Sequence, residues 1–515
     1  MKPQFFVTTP IYYVNGAPHI GHAYTGVAAD VMARFKRLDG YDVFFLTGTD
    51  EHGQKVEKAA AEAGMAALTY VDGISGQFRA LTQALNLSND DFIRTTEARH
   101  VRSCQELWRR VAAAGDIYLG HYEGWYAVRD EAFYGEDELT LLADGRRMAP
   151  TGVAVEWVRE PSYFFRLSAW ADRLLAFYET NPDFLAPVST RNEVVSFVKG
   201  GMHDLSVSRT SFKWGIPVPG DAAHVMYVWF DALTNYLTAT GFPDEHAERA
   251  GFWPADLHLV GKEITRFHCV YWPAFLMAAG LKPPRRVFAN GWLTVDGQKM
   301  GKSMGNAIDP NALGARYGVD ALRFFLMREI PFGQDGDFSP RALVARLNGE
   351  LANELGNLAQ RSLSLVARHC EGRLPARGPI AEDDTALLAQ AEALSSRVRA
   401  ALDRQAMGEA LEAVWQVVRA ANAYIDRQAP WTLAKTDRAR MAAVLRVLAD
   451  VLRVVATVLQ PFMPGSMTRM LDQLGVAADQ RNLADLVNPV PDAAVLPAPS
   501  AVFPRFVEEA GGAGG

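Results

Sequence analysis

"QFFVTTPIYYVNGAPHIGHAYTGVAADVMARFKRLDGYDVFFLTG", residues 4–48, decides the fold. Its opening run, "QFFVTTPI" (4–11), reads as a short buried strand, and "NG" at 15–16 marks a turn. Val27, Val31, Phe35 and Leu38 then recur at helical spacing, which predicts an amphipathic helix, and Gly40 sits where a C-cap belongs. "YDVFFLTG" (41–48) reads as the next strand. Strand, helix and strand in that order form a βαβ unit, hence a parallel sheet covered by helices, with ligands at the carboxyl ends of its strands.

Outward from that unit, composition bounds the rest. A chain of 515 residues, 49% hydrophobic, has room for several domains and a substantial core. A formal charge of −7 excludes a generally basic, nucleic-acid-coating surface, so a polyanion must be met by a local patch. Cys104, Cys269 and Cys370 stand isolated, which excludes a disulfide framework and a CxxC knuckle and fits a reducing, cytoplasmic setting. The expectation is a chain that neither carries a secretory leader nor crosses a membrane, because no apolar run is long enough.

The texture divides the chain into stretches. Residues 1–115 are the first half of an α/β domain, and 116–220 an insertion of aromatic-rich runs such as "IYLGHYEGWYAV". The α/β pattern resumes over 221–295, followed by a loop region (296–340). Residues 341–490 read as a helical bundle, and 491–515 as a Pro/Ala/Gly-rich tail that wraps the surface before fraying.

Two motifs ask for a phosphate. In "PHIGHAYT" (18–25), His19 and His22 lie three apart at the start of the first helix, and Gly21 removes the side chain between them. A helix N-terminus offers N–H groups and positive dipole, and imidazoles donate to phosphoryl oxygens; the plainer alternative is a pair of capping histidines. In "DGQKMGKSMGN" (296–306), Lys299 and Lys302 flank Gly301 in a glycine-lined loop with no strand or helix pattern of its own. Such a loop can close its cations over a leaving pyrophosphate, or it can be an ordinary solvated loop.

Together, "HIGH" after the first strand and "KMGKS" after the last resemble the paired signatures of class I aminoacyl-tRNA synthetases. "TTPIYYVNG", "TGTDEHG", "SVSRTSFKWGIPVP", "YVWFDALTNY" and "GKEITRFHCVYWP" narrow the resemblance to the methionyl-tRNA synthetases, from residue 7 to about 310. The resemblance implies a split Rossmann-like catalytic domain with an inserted connective domain, a lysine-loop and stem-contact region, and an all-α anticodon-binding bundle. It implies adenylation of L-methionine by ATP with Mg²⁺, then transfer to the terminal ribose of tRNA(Met). His19, His22, Lys299 and Lys302 would be catalytic, and Gly21, Gly261, Glu263 and Ser303 would join them around ATP. Ile11, Tyr13, Asp50, Trp229, Ala232, Leu233, Tyr236, Ile264, Phe267, His268 and Trp272 would form the methionine site, Asp50 holding the ammonium. Asn357, Arg361 and Trp431 would meet the anticodon.

Chemistry bears on these assignments. A thioether is polarizable and a weak acceptor, so aromatic rings with a hydroxyl or imidazole suit it. The same residues at helical spacing would also make plain core. Trp431 could be a stacking platform for an unstacked base or simply a buried helix end.

The sequence departs from the family in three places. Residues 116–220 contain no cysteine, so no zinc is expected. Gly301 replaces the usual loop serine, and no appended domain follows the bundle, which makes a monomer the expectation. The alternatives are another class I synthetase and a catalytically silent tRNA-binding paralogue.

Overall fold

The computed structural model describes residues 2–130, 132–295, 297–299 and 308–507, with Lys299 described by its backbone. Gly301, Lys302 and Ser303 lie outside the described residues.

The opening stretch folds as a βαβ unit: β1 (Gln4–Tyr13), α1 (Ile20–Leu38) and β2 (Asp42–Asp50). β1 continues two residues beyond the apolar run, with a register shift between Thr8 and Ile11 where Pro10 interrupts the ladder. β3 (Asp91–Arg94) and α2 (Ala98–Ala113) follow. The insertion then builds an antiparallel ladder of β4 (Ile117–Ala127) and β5 (Glu156–Phe165), with Ile117 opposite Phe165 and Tyr126 opposite Glu156. These strands are longer and more regular than the broken texture of the sequence suggests.

Within that insertion, β6 (Leu185–Ala186) returns to the central sheet. Two residues between prolines are too short to show a period, so nothing in the sequence marks this strand. The short helix α3 (Val228–Leu233), β7 (Leu257–Gly261) and β8 (Val287–Asn290) complete the catalytic part. The central sheet is parallel throughout, in the order β3-β2-β1-β7-β8-β6. The strand order reverses direction at β1, so a crevice opens between the carboxyl ends of β1 and β7.

Neighbouring residues on the strands face different cores. Phe6 and Phe44 belong to one, with Trp108, Phe230 and Phe275; Val7 and Phe45 belong to the other, with α1 and the C-terminal helices. α1 is buried on almost every side, unlike the amphipathic helix its spacing predicts. It lies between the sheet and α4 (Val319–Glu329), and Ala28, Ala29 and Ala33 let both approach.

After β8 the chain forms a small sheet of β9 (Leu293–Val295), β10 (Gln298–Lys299) and β11 (Gly336–Phe338). Lys299 therefore ends a short strand paired with Thr294, a correction to the reading of that stretch as patternless loop. The bundle is built on α5 (Asn357–His369), α6 (Met407–Gln428) and α7 (Arg438–Leu459). The tail pairs with Leu374 through the backbone of Ala493 and Ala494, and its Phe506 exchanges two hydrogen bonds with the Asn348 side chain.

Candidate active site

The start of α1 carries an unusual cap. His19 is the N-cap, its Nδ1 accepting from the Gly21 N–H at 3.1 Å, and His22 Nδ1 accepts from the His19 N–H at 3.0 Å. This is the reciprocal arrangement of a capping box, made by two imidazoles. A ring nitrogen that accepts carries no proton, so the cap assigns each ring's proton to Nε2. The two readings of this pair are thus compatible: capping through Nδ1 leaves donor character at Nε2. The rings lie 3.8 Å apart, and His22 is packed by Tyr12 and Phe78.

The lysine loop is tethered at both ends to this region. On one side β9 and β10 hold Lys299; on the other, the Ile308 carbonyl accepts from the Ile20 N–H at 3.0 Å, in the first turn of α1. Lys302 and Ser303, between them, lie outside the described residues.

A cavity of about 510 Å³ fills the crevice. Ile11, Tyr13, His19, Gly21, His22, Asp50, Trp229, Ala232, Leu233, Tyr236, Gly261, Glu263, Ile264 and His268 all line it. Asp50 ends β2, in register with Tyr13 on β1, and is 6% exposed. A carboxylate there stands at the strand ends on the same cavity as the histidine pair.

The opposite wall is aromatic. Tyr236 and His268 Nε2 are 2.8 Å apart, and His268 Nδ1 lies 3.0 Å from the Ile264 carbonyl. A carbonyl only accepts, so Nδ1 carries the proton and Nε2 accepts from the Tyr236 hydroxyl. Burial pushes His268 down to about 4, partly opposed by its bond to Ile264. It also raises the Tyr236 phenol, despite lowering contacts with Asn235 and Thr8. The wall therefore presents neutral polar groups, which suits a thioether.

Two residues expected in this wall stand behind it. Phe267 stacks on Trp229 with centroids 3.7 Å apart, and Trp272 is fully buried, 6.2 Å from the Tyr236 ring. A π turn over Phe267–Tyr271 forms this part of the chain. Trp272 follows it and packs in the core against Tyr236 and Trp253.

On the far side, Trp292 Nε1 donates to Glu263 at 3.0 Å and the Lys262 ammonium sits 3.8 Å from the Trp292 ring centre. Lys262 is held by Asp335, at 2.7 and 2.6 Å. A Cβ at Gly261 would come within 2.4 Å of the Glu263 carboxylate, so a side chain there would push that carboxylate aside. In the bundle, Arg361 lies 5.2 Å from the centre of the Trp431 ring and pairs with Asp426 at 2.7 Å. Trp431 is 41% exposed, and Asn357 lies exposed one turn before Arg361 on α5.

Lys55, Arg129, Asp130, Asn290 and Trp292 also line the cavity and escaped the sequence reading. Asn290 ends β8 and Trp292 follows it, so the rule that ligands gather at strand ends could have found them. Arg129 and Asp130 come from a turn of the insertion and carry no spacing signal.

Comparison with known proteins agrees with this geometry. The family model for class I tRNA synthetases (M) matches residues 5–363, and the anticodon binding domain of methionyl tRNA ligase matches 374–511. The methionine–tRNA ligase of Brucella suis biovar 1 is 56% identical over 98% of this chain and 99% of its own. That of Mycobacterium tuberculosis H37Rv is 56% identical over 98% of each. Among solved structures, Mycobacterium tuberculosis methionyl-tRNA synthetase in complex with methionyl-adenylate superposes with a TM-score of 0.96 at 55% identity, covering 98% of this chain and 100% of that one. The apo form of that enzyme gives 0.90 at 52% identity, covering 99% of each. Both parts of the family architecture are matched in order along one chain, at more than half identity over nearly its whole length, and the chain belongs to the methionyl-tRNA synthetase family.

Proposed function

We propose that the crevice between β1 and β7 performs both half-reactions of methionine–tRNA ligation, with the residues around it in distinct roles. In the first, a methionine carboxylate oxygen attacks the α-phosphorus of ATP and the bond to the β-phosphate oxygen breaks, releasing pyrophosphate. In the second, a hydroxyl of the terminal ribose attacks the acyl carbon and AMP leaves. Neither step needs a protein nucleophile; catalysis rests on positioning and on neutralising charge.

The observation that carries the assignment is the imidazole cap. It fixes Nε2 as the donor nitrogen of both His19 and His22, at a helix N-terminus on the same cavity as Asp50 and the Tyr236–His268 wall. His19, His22, Lys299 and Lys302 serve the phosphates, with Mg²⁺ arriving on ATP and Ser303 completing the loop. Gly21 and Gly261 admit the nucleotide, and Glu263 takes the ribose. Asp50 binds the methionine ammonium, and Ile11, Tyr13, Trp229, Ala232, Leu233, Tyr236, Ile264 and His268 enclose the side chain, backed by Phe267 and Trp272. Asn357, Arg361 and Trp431 read the anticodon of tRNA(Met). The chain acts as a cytoplasmic monomer, and its cysteine-free insertion works without zinc.

The test is ATP–pyrophosphate exchange on metal-stripped protein resupplied with Mg²⁺ alone, across a panel of amino acids. Exchange with methionine only is expected. Exchange restored only by zinc would overturn the metal assignment, and exchange with another amino acid the pocket assignment. No exchange under either metal would point to a silent paralogue.

A further inference from the structure

Asp231 belongs to the turn that supplies the cavity wall, between Trp229 and Ala232, yet it is fully buried on the other side of that turn. Its Oδ2 lies 2.7 Å from His52 Nδ1 and its Oδ1 lies 2.8 Å from His100 Nε2. His100 in turn meets Thr238 at 3.0 Å through Nδ1, and Cys104 Sγ lies 3.2 Å from its Nε2. Burial alone would raise the Asp231 carboxyl, but His52 and His100 hold it below the usual carboxylate range.

His100, Cys104 and Asp231 could also be taken for metal ligands, their donor atoms lying within 4.8 Å of one another. Both Asp231 oxygens are already engaged at hydrogen-bond length, however, each by a histidine ring nitrogen, so the carboxylate is satisfied without an ion. The chemistry is that of a polar network, not a cation cage.

The two arms of the network lead to different places. His52 stands two residues after Asp50, in a segment where the Gly53 N–H donates to the Trp214 carbonyl and Trp214 Nε1 donates to the Glu51 carbonyl at 2.6 Å. His100 lies on α2, in the interior and away from the cavity lining. Among the pieces that build the methionine site are the end of β2, with Asp50, and the 228–236 segment, with Trp229 and Tyr236 of the aromatic wall. His52–Asp231 is a side-chain bond that joins these two.

We propose that Asp231 is a positioning residue for methionine: through His52 it fixes the distance between the ammonium-binding carboxylate and the side-chain wall. The inference rests on the methionine-site reading above. A substrate held at both ends is sensitive to that distance, whereas ATP, bound at α1 and β7, is not.

The experiment compares Asp231→Asn, His52→Ala, His52→Asn and His100→Gln in methionine-dependent exchange, with thermal melts on each. Asp231→Asn and His52→Ala should raise the KM for methionine about tenfold, with the KM for ATP within twofold of the parent. His52→Asn, which keeps a donor close to the Nδ1 position, should recover most of the methionine KM. His100→Gln should lower the melting temperature and leave the methionine KM alone. If Asp231→Asn lowers the melting temperature but binds methionine normally, or if both substrates weaken together, Asp231 is merely structural. Should Asp231→Asn fail to fold, the His52 pair decides in the same way. Stoichiometric zinc copurifying with the parent and lost in Cys104→Ser would overturn the network reading. A parent that exchanges with an amino acid other than methionine would overturn the site reading itself, and this inference with it.

Discussion

His268 links the pocket to pH. Its ordinary value is near 6.5 and burial lowers it to about 4 in the folded chain, so between those values the unfolded chain binds a proton that the native one refuses. Stability therefore rises with pH through this window: the contribution is complete above pH 6.5 and is lost as pH falls toward 4. Its size is about 3 kcal/mol. His258, 2.8 Å from Thr8 and also fully buried, is lowered in the same direction and adds to the slope. Replacing His268 by Gln, which keeps an acceptor but cannot titrate, should shrink the difference in urea-unfolding free energy between pH 7 and pH 4.5 by about 2–3 kcal/mol. An unchanged difference would place the acid sensitivity elsewhere. At this scale the sequence was informative where chemistry is concentrated in one segment: "TRFHCVYWP" carries His268 in plain view. It was silent on Asp231, because an acid beside a Trp and a Phe shows nothing of the two histidines it meets, 179 and 131 residues away in the chain.

The first turn of α1 makes one pair of side chains do two jobs, and the jobs can be separated. His19→Ala removes a cap worth about 1 kcal/mol and also a donor to the phosphates, whose loss should cost roughly 10²–10³-fold in the exchange rate. His19→Asn caps well but cannot reach as far, so it should return the stability and not the rate, as urea melts beside exchange assays would reveal. If the rate returned with the stability, the histidine would act only through the helix. The βαβ order and the bundle were legible because their periods run over many residues. β6, β10 and the π turn at Phe267–Tyr271 were not, since each is fixed by contacts its own few residues do not encode.

Across the whole molecule, Arg323 joins three parts of the chain at one fully buried point. Its guanidinium bonds Asp30 of α1 at 2.6 Å, the Leu85 carbonyl at 3.1 Å, and the carbonyls of Pro461 and Phe462 after α7 at 2.8 and 3.1 Å. Nothing in the helical period of residues 319–329 separates this arginine from a solvated one, because its partners lie 138 to 293 residues distant. The helix that begins with the histidine pair is in this way fastened to the bundle through its middle, and its C-terminal end is fastened by Lys36–Asp403 at 2.8 Å and Arg399–Asp39 at 2.7 Å. Arg323→Met removes one partner of a buried pair and leaves two bundle carbonyls without a donor, so it should destabilise by about 3–5 kcal/mol. Asp30→Asn alone should also destabilise, since Arg323 keeps its charge and loses its counter-ion. The double variant removes both charges at once, and the sum of the single losses should exceed the double loss by about 1–3 kcal/mol in a urea-unfolding cycle. A coupling near zero would mean that the carbonyls after α7, and not the carboxylate on α1, are what this arginine is there to hold.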